Sequence, residues 1–202
     1  MSQVSKICMK RLQGDAKILA KHPVDDLEAY QDEKDMLTWY FLLRGPVDTD
    51  YEGGLYIGKV MHSPEYPFKA PDFMMLTPNG RFDIGKKICM TNSGYHSESW
   101  SSMWNIRSIL LGFLSIMSDD TTSGISHIKK SKAERKVFAN DSVKYNEQYH
   151  KDVFNNFVRL RNPSSTSTNN ANNDGTDGNE EIEVKAKKRV KKVKKSSTSK
   201  TG

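Results

Sequence analysis

The chain has 202 residues and two cysteines, which suits one domain that buries a core without disulfide cross-links. Cys8 and Cys89 cannot form a disulfide framework, and no secretory leader precedes them, so a reducing compartment is expected. A run of about 18 apolar residues is missing, which excludes a transmembrane helix within this sequence.

Positive charge is concentrated near the C-terminus. Residues 163–202 contain nine Lys or Arg and five Asp or Glu, and so contribute +4 of the formal net charge of +6. The near-neutral remainder argues against a nucleic-acid-binding domain. Ser, Thr and Asn dominate Ser164–Asn173, and this composition predicts a disordered tail over 163–202. The basic run offers the only expected membrane contact, and a merely solvated tail is an equal alternative.

The first part of the chain predicts one helix followed by strands. Apolar residues at helical spacing, Ile7 among them, predict a helix over Val4–Lys21 that ends at His22-Pro23, since proline lacks a backbone donor. Runs of aromatic and branched residues predict strands at Leu27–Gln31, Leu37–Leu43, Leu55–His62 and Asp72–Leu76. Their short connections favour an antiparallel meander.

Helical periodicity returns after an irregular stretch. It predicts a core helix over Ile106–Met117 and two further helices over Lys132–Asn140 and Asp141–Arg161. Residues 1–162 are therefore predicted to form one α+β domain. Its expected order is an N-terminal helix, a four-stranded antiparallel meander, an irregular segment and C-terminal helices.

One cysteine lies in an unusual setting. The stretch Thr77-Pro78-Asn79-Gly80 predicts a tight reversal of the backbone, and Cys89 follows ten residues after Asn79. Upstream lies Tyr66-Pro67-Phe68, and downstream lie Trp100 and Trp104. This ordered set resembles the active-site segment of the ubiquitin-conjugating enzymes. It is most similar to their J type, tied to endoplasmic-reticulum quality control, in which the usual His-Pro-Asn reads Thr-Pro-Asn.

The resemblance covers roughly residues 2–161 and implies a function for Cys89. In the family, such a cysteine accepts ubiquitin as a thioester from a ubiquitin-activating enzyme. It then passes ubiquitin to a substrate lysine, usually with a ubiquitin ligase holding both. A thiolate suits this task because it is a strong nucleophile and its thioester stays reactive toward amines. No cofactor is implied, since ATP is used by the activating enzyme. Taken alone, a lone cysteine is more often a small buried hydrophobe.

Two further residues are candidates for catalysis. The amide of Asn79 either donates to the oxyanion that forms when lysine attacks, or pins the turn through backbone hydrogen bonds, or does both. His96 is a candidate base for hydroxyl acceptors, which members of the J type are associated with, and a structural loop residue is the alternative.

Family partners dock on the first helix, on the Pro-Phe loop and on a loop after the first tryptophan. The resemblance maps these surfaces onto Lys6, Lys10, Arg11, Pro67, Phe68, Ser101, Ser102 and Met103. Taken alone, Phe68 is better read as a core aromatic. The last loop departs from the usual Ser-Pro-Ala. A further loop, Ser118–His127, flanks the thiol in the family and contains Asp119, Asp120, Ser123 and Ser126.

Other functional classes find less support. A catalytically silent adaptor domain of the same family would be expected to lack the cysteine or to surround it with disruptive residues, and this chain keeps Cys89 and Asn79. A cysteine hydrolase would need a histidine and an Asn or Asp in a matching fold. The remaining histidines lack metal-ligand spacing, so no metal is expected. A cytoplasmic location is predicted, or the cytosolic face of the endoplasmic reticulum if the chain stops before the C-terminal anchor usual in the J type.

Overall fold

A computed structural model of the chain describes residues 4–89, 100–121, 124 and 126–162. The predicted tail therefore lies outside the described residues. The elements in chain order are α1 (Lys6–Lys21), β1 (Leu27–Gln31), β2 (Thr38–Arg44), β3 (Leu55–Met61), β4 (Asp72–Met75), β5 (Lys87–Cys89), α2 (Ile106–Ser118), α3 (Lys132–Tyr149) and α4 (Lys151–Asn155).

The strands form one antiparallel sheet in the order β1-β2-β3-β4-β5. The predicted meander is present, with β5 as a fifth strand in addition to the four expected. This strand has three residues and pairs with β4. So short a segment shows no alternation of its own from which a sequence pattern could predict a strand.

The sheet separates two apolar layers because successive side chains point to opposite faces. Phe41 and Leu43 face the main core, which is completed by α1 and α2. Leu42 and Ile57 belong to a smaller cluster, which Phe154 of α4 covers. Helices therefore lie on both sides of the sheet, and the predicted α+β class is confirmed.

Side-chain caps mark the start of α1, α2 and α3. Ser5 accepts the backbone N–H of Cys8 at 3.0 Å at the start of α1. Asn105 opens α2, and Ser131 opens α3, each with a reciprocal capping box. The predicted break at Asn140–Asp141 is wrong, since α3 runs unbroken to Tyr149. Its buried face there carries small polar side chains, which the apolar pattern did not reveal.

Two absences hold for the described ranges only. No helix in them has the length and apolar character that crossing a bilayer requires. Nor do they contain a group of three or more His, Cys, Asp or Glu side chains arranged to hold a metal ion.

Candidate active site

The turn that precedes the cysteine lies between β4 and β5. Gly80 has a left-handed backbone with φ of 77°, and a Cβ there would lie 2.9 Å from Cγ of Arg135, so glycine is required. The chain then runs back along the sheet to Cys89, which pairs with Asp72 of β4. The structure describes Cys89 through its backbone. His96 lies outside the described residues.

The fully buried side chain of Asn79 holds this turn. Its Oδ1 accepts the backbone N–H groups of Arg81 and Phe82, each at 2.8 Å. Its Nδ2 donates to the carbonyl oxygen of Thr77 at 2.9 Å. These bonds match the turn-stabilising interpretation of Asn79. The oxyanion interpretation stays a prediction.

The hydroxyl of Thr77 connects the turn to two other elements. Its Oγ1 accepts the backbone N–H of Ile57 on β3 at 2.9 Å and donates to Oδ1 of Asn146 on α3 at 2.5 Å. Nδ2 of Asn146 in turn donates to the carbonyl of Leu55 at 2.8 Å. All polar atoms of the Thr77 and Asn146 side chains thus serve the junction of β3 with α3.

The connection between α2 and α3 lies beside the segment that leads to the cysteine. The backbone N–H of Ile128 donates to the carbonyl of Arg81, and that of Asp83 donates to the carbonyl of Ser126, both at 2.9 Å. The hydroxyl of Ser126 donates to the carbonyl of Lys87 at 2.9 Å. Lys87 is two residues before Cys89 in sequence, so this loop borders the β5 strand directly.

Several predicted docking residues meet in one place. A surface groove of about 490 Å³ is lined by Lys10 and Arg11 of α1, by Pro67 and by Met103. Met103 is 84 % exposed. The structure thus brings together three segments that are distant in sequence. Lys6, Ser101, Ser102 and Phe68 lie outside the lining of this groove.

Phe68 is 69 % exposed, which excludes the core interpretation of this aromatic. Pro67 is buried, and its carbonyl accepts the indole N–H of Trp100 at 2.9 Å. Trp100 and Trp104 pack against the main core. The Pro-Phe loop therefore presents one aromatic ring to solvent on a firmly packed base.

Arg11 has an internal role that the sequence did not reveal. Its guanidinium donates to the carboxylate of Asp15 at 2.9 Å and to the carbonyls of Ser102 at 2.6 Å and Trp104 at 2.5 Å. Asp15 is fully buried and also accepts the hydroxyl of Tyr66 at 2.5 Å. Burial raises the pKa of Asp15, opposed by these hydrogen bonds. Arg11 thus holds the groove walls together.

Sequence reasoning also missed Ile7. The helical pattern assigned it to the apolar stripe, but Ile7 is 57 % exposed and lines the groove. The buried face of α1 consists instead of Cys8, Leu12, Asp15 and Leu19. The charged residue Asp15 belongs to this buried face, so hydrophobicity alone does not indicate which face of α1 is buried.

The family profile described as "Ubiquitin-conjugating enzyme" matches residues 11–153, a range that includes Asn79 and Cys89. The chain belongs to the ubiquitin-conjugating enzyme family.

Individual relatives agree with this assignment. "Probable ubiquitin-conjugating enzyme E2 33" of Arabidopsis thaliana is 43 % identical over 70 % of this chain and 58 % of its own length. "Ubiquitin-conjugating enzyme E2 34" of the same plant is 41 % identical, over 71 % of this chain and 68 % of its own length. Human "Ubiquitin-conjugating enzyme E2 J1" is 40 % identical, over 66 % of this chain and 42 % of its own length. The predicted resemblance to the J type is confirmed, and the match spans only part of each relative.

Proposed function

We propose that this chain accepts ubiquitin as a thioester on Cys89 and transfers it to a lysine of a protein substrate. The observation that carries the proposal is the position of Cys89. It ends β5 after the Asn79-pinned turn, within the range that the family profile matches. A ubiquitin-activating enzyme supplies ubiquitin, and a ubiquitin ligase holds the charged chain and the substrate together.

The chemistry requires two acyl transfers. In the first, the thiolate of Cys89 attacks the carbonyl at the ubiquitin C-terminus, and the thiolate of the activating enzyme leaves. In the second, a substrate amine attacks the new thioester, an amide forms, Cys89 leaves as thiolate and the amine loses a proton. The first step exchanges thioesters of similar energy, so the second step makes the greater demand on the site.

Reducing and non-reducing gels test this function. The chain is incubated with activating enzyme, ATP and ubiquitin, and we expect an adduct that added thiol cleaves. Cys89→Ala should abolish the adduct, and Cys89→Ser should accumulate a thiol-resistant oxyester. Cys8 provides the matched control because it is fully buried and burial raises its thiol pKa, so Cys8→Ala should charge normally. An adduct that depends on Cys8 would refute the assignment, and absence of any adduct would favour a silent adaptor.

We further propose a role in endoplasmic-reticulum quality control on the cytosolic side of that membrane, supported by the resemblance to the J type.

His96 is proposed as the base for hydroxyl acceptors, because a hydroxyl proton must leave as attack proceeds. The ratio of lysine to serine discharge rates should therefore rise in His96→Ala. An unchanged ratio would remove His96 from the mechanism.

A further inference from the structure

Two buried arginines converge on the connection between α2 and α3. Arg81 follows the Asn79 turn and is 4 % exposed, and Arg135 lies in the first turn of α3 and is 3 % exposed. Burying a charged side chain is unfavourable unless it is paired, so both arginines must serve specific contacts. The function proposed above does not use either of them.

Arg81 reaches both sides of this connection. Its Nη2 donates to the carbonyl of Asp119, just after α2, at 2.7 Å. Its Nη1 lies 2.9 Å from Nδ1 of His127. Since a guanidinium can only donate, Nδ1 of His127 is the acceptor and the imidazole carries its proton on Nε2. One side chain thereby connects two loop residues that are eight positions apart.

Arg135 holds the same loop from the side of α3. Its Nη2 lies 2.8 Å from Oδ1 of Asp120, and its Nη1 lies 3.0 Å from Oδ2, which is a bidentate pair. Its guanidinium also lies 5.4 Å from the ring centroid of Tyr51, and Nη1 is 3.7 Å from Oδ2 of Asp50. The hydrogen bonds from Arg135 hold the pKa of Asp120 below its usual value, so this pair persists at neutral pH.

The loop held in this way borders the path to the cysteine. Ser126 donates to the carbonyl of Lys87 in β5, and Lys130 donates its backbone N–H to the carbonyl of Gly80. A displacement of the loop would therefore be transmitted to the surroundings of β5. Asp120 is one of the acidic residues that the family resemblance places beside the thiol, but both of its carboxylate oxygens already bind Arg135.

We propose that Arg81, Arg135 and Asp120 form a clamp that fixes the described parts of the α2–α3 connection, 119–121 and 126–131, beside β5 and so sets the approach of the acceptor to the thioester. This inference rests on the proposed function. The three are positioning residues, and Asp120 acts through Arg135 rather than on the incoming amine. Aminolysis needs the acceptor nitrogen in a near-attack position, and displacement of a supporting wall by about 1 Å is enough to slow such a step strongly.

Asp120→Ala opens the clamp with little risk to the fold, because the Asp120 side chain is 47 % exposed. Asp141→Ala is the matched control, since Asp141 is an exposed carboxylate of α3, the same helix as Arg135. We expect charging by the activating enzyme to stay within about twofold of wild type for both variants. Single-turnover discharge to free lysine should slow by about tenfold in Asp120→Ala alone.

Two comparisons separate the clamp from other roles for Asp120. Discharge to hydroxylamine, a neutral amine, should slow as much as discharge to lysine, whereas slowing confined to lysine would mean that Asp120 attracts the acceptor's charge and would overturn the clamp. Arg135→Lys keeps the charge but loses the bidentate fork, so it should reproduce the slow discharge. Its effect should not add to that of Asp120→Ala, since both remove one interaction.

Failure of the clamp is distinguishable from failure of the proposed function. If wild type forms no thioester on Cys89, the proposed function and the clamp are both refuted. If wild type charges and Asp120→Ala discharges at the wild-type rate, only the clamp is refuted. Additive losses in Asp120→Ala and Arg135→Lys would also overturn it. Partial recovery in Asp120→Glu, which can still pair with Arg135, is the expected rescue.

Discussion

At the scale of single residues, a buried amide holds the turn before the cysteine. Asn79 accepts two backbone N–H groups and donates to one carbonyl, and all three partners lie two or three positions from it in sequence. Removing such a partner leaves buried donors unsatisfied, at about 1–3 kcal/mol each. Any loss of activity on changing Asn79 must therefore be separated from a loss of the turn itself.

Asn79→Asp and Asn79→Ala separate these effects. Asp keeps an acceptor for Arg81 and Phe82, whose N–H groups favour its ionised form, but it loses the amide donor. We expect Asn79→Ala to lower the free energy of unfolding by about 2–4 kcal/mol and Asn79→Asp to lower it less. If Asn79 also stabilises the oxyanion, lysine discharge should fall about 10²-fold in both. Urea unfolding and single-turnover discharge give the two readings, and normal discharge in a folded Asn79→Asp would exclude the oxyanion role.

His62 is a second buried polar residue with a measurable consequence. Its ring lies edge-on to Tyr66 with centroids 4.4 Å apart, and its Nδ1 donates to the carbonyl of Leu37 at 3.0 Å. Its buried Nε2 has no hydrogen-bond partner among the described residues. Burial lowers the pKa of His62 to about 4. The folded protein therefore resists protonation of this imidazole.

Stability should consequently fall as the pH falls from about 6.5 toward 4. The unfolded chain, with a His pKa of about 6.5, gains a proton in this window that the folded protein does not. We expect His62 to account for a loss of about 2 kcal/mol between pH 7 and pH 5. In denaturant unfolding, the free energy of unfolding of His62→Phe should fall by about 2 kcal/mol less between pH 7 and pH 5 than that of wild type. A variant with the wild-type slope would contradict the assignment.

At the scale of elements, buried polar side chains join α3 to β3. Ser142 Oγ accepts the backbone N–H of Leu55 at 2.9 Å, and one turn later Asn146 binds Thr77 and the carbonyl of Leu55. Both α3 side chains are buried. These α3 side chains bind the backbone N–H and C=O of Leu55, at the start of β3. The part of α3 beyond Asn140 is therefore held against the sheet.

Thr77→Val tests this junction. Valine fills the space of threonine but leaves Ile57 N–H and Asn146 Oδ1 without their partner, so stability should fall by about 2–3 kcal/mol. Thr77→Ser retains the hydroxyl and is the matched control. We expect its loss of stability to be less than half that of Thr77→Val. Adding Asn146→Leu to Thr77→Val should be less than additive, because both changes remove one interaction. Equal stability of the Val and Ser variants in urea unfolding would show that the hydroxyl is unimportant.

At the scale of the whole molecule, the groove is assembled from α1, the Pro-Phe loop and the loop before α2. Ile7 and Met103 are exposed apolar side chains that line the groove. Phe68 lies outside the lining but is exposed next to Pro67, which does line it. Arg11 and Asp15 connect the segments beneath them. Apolar residues exposed on a surface that partners are predicted to use are expected to carry binding energy.

Ile7→Asp places a charge in this groove without disturbing the core, since Ile7 is 57 % exposed. We expect the KM of the activating enzyme for this chain to rise by about tenfold while kcat changes little, as for lost uniform binding. Val47→Asp is the control, because Val47 is 73 % exposed and lies outside the groove. Equal KM values for the two variants would place the docking surface elsewhere.

Much of this architecture follows from sequence alone. Periodicity, proline and glycine located α1, α2 and four strands to within a residue or two, because these signals are local. The order of Asn79, Cys89 and the tryptophans indicated the family, which the profile and the relatives confirm. The roles of Cys89, Asn79 and His96, and the disordered tail, stay predictions.

Only the tertiary structure decided which polar side chains are buried and what they bind. Asp15 lies in an apolar stripe because Tyr66, 51 positions away, donates to it. Thr77 meets Asn146 across 69 positions, and Arg81 meets His127 across 46. Such pairs leave no local pattern in the sequence, since each residue's hydrogen bond depends on where the fold places its partner. Local periodicity determined the elements of this protein, and long-range pairing of buried polar groups determined how they are held around the cysteine-bearing strand.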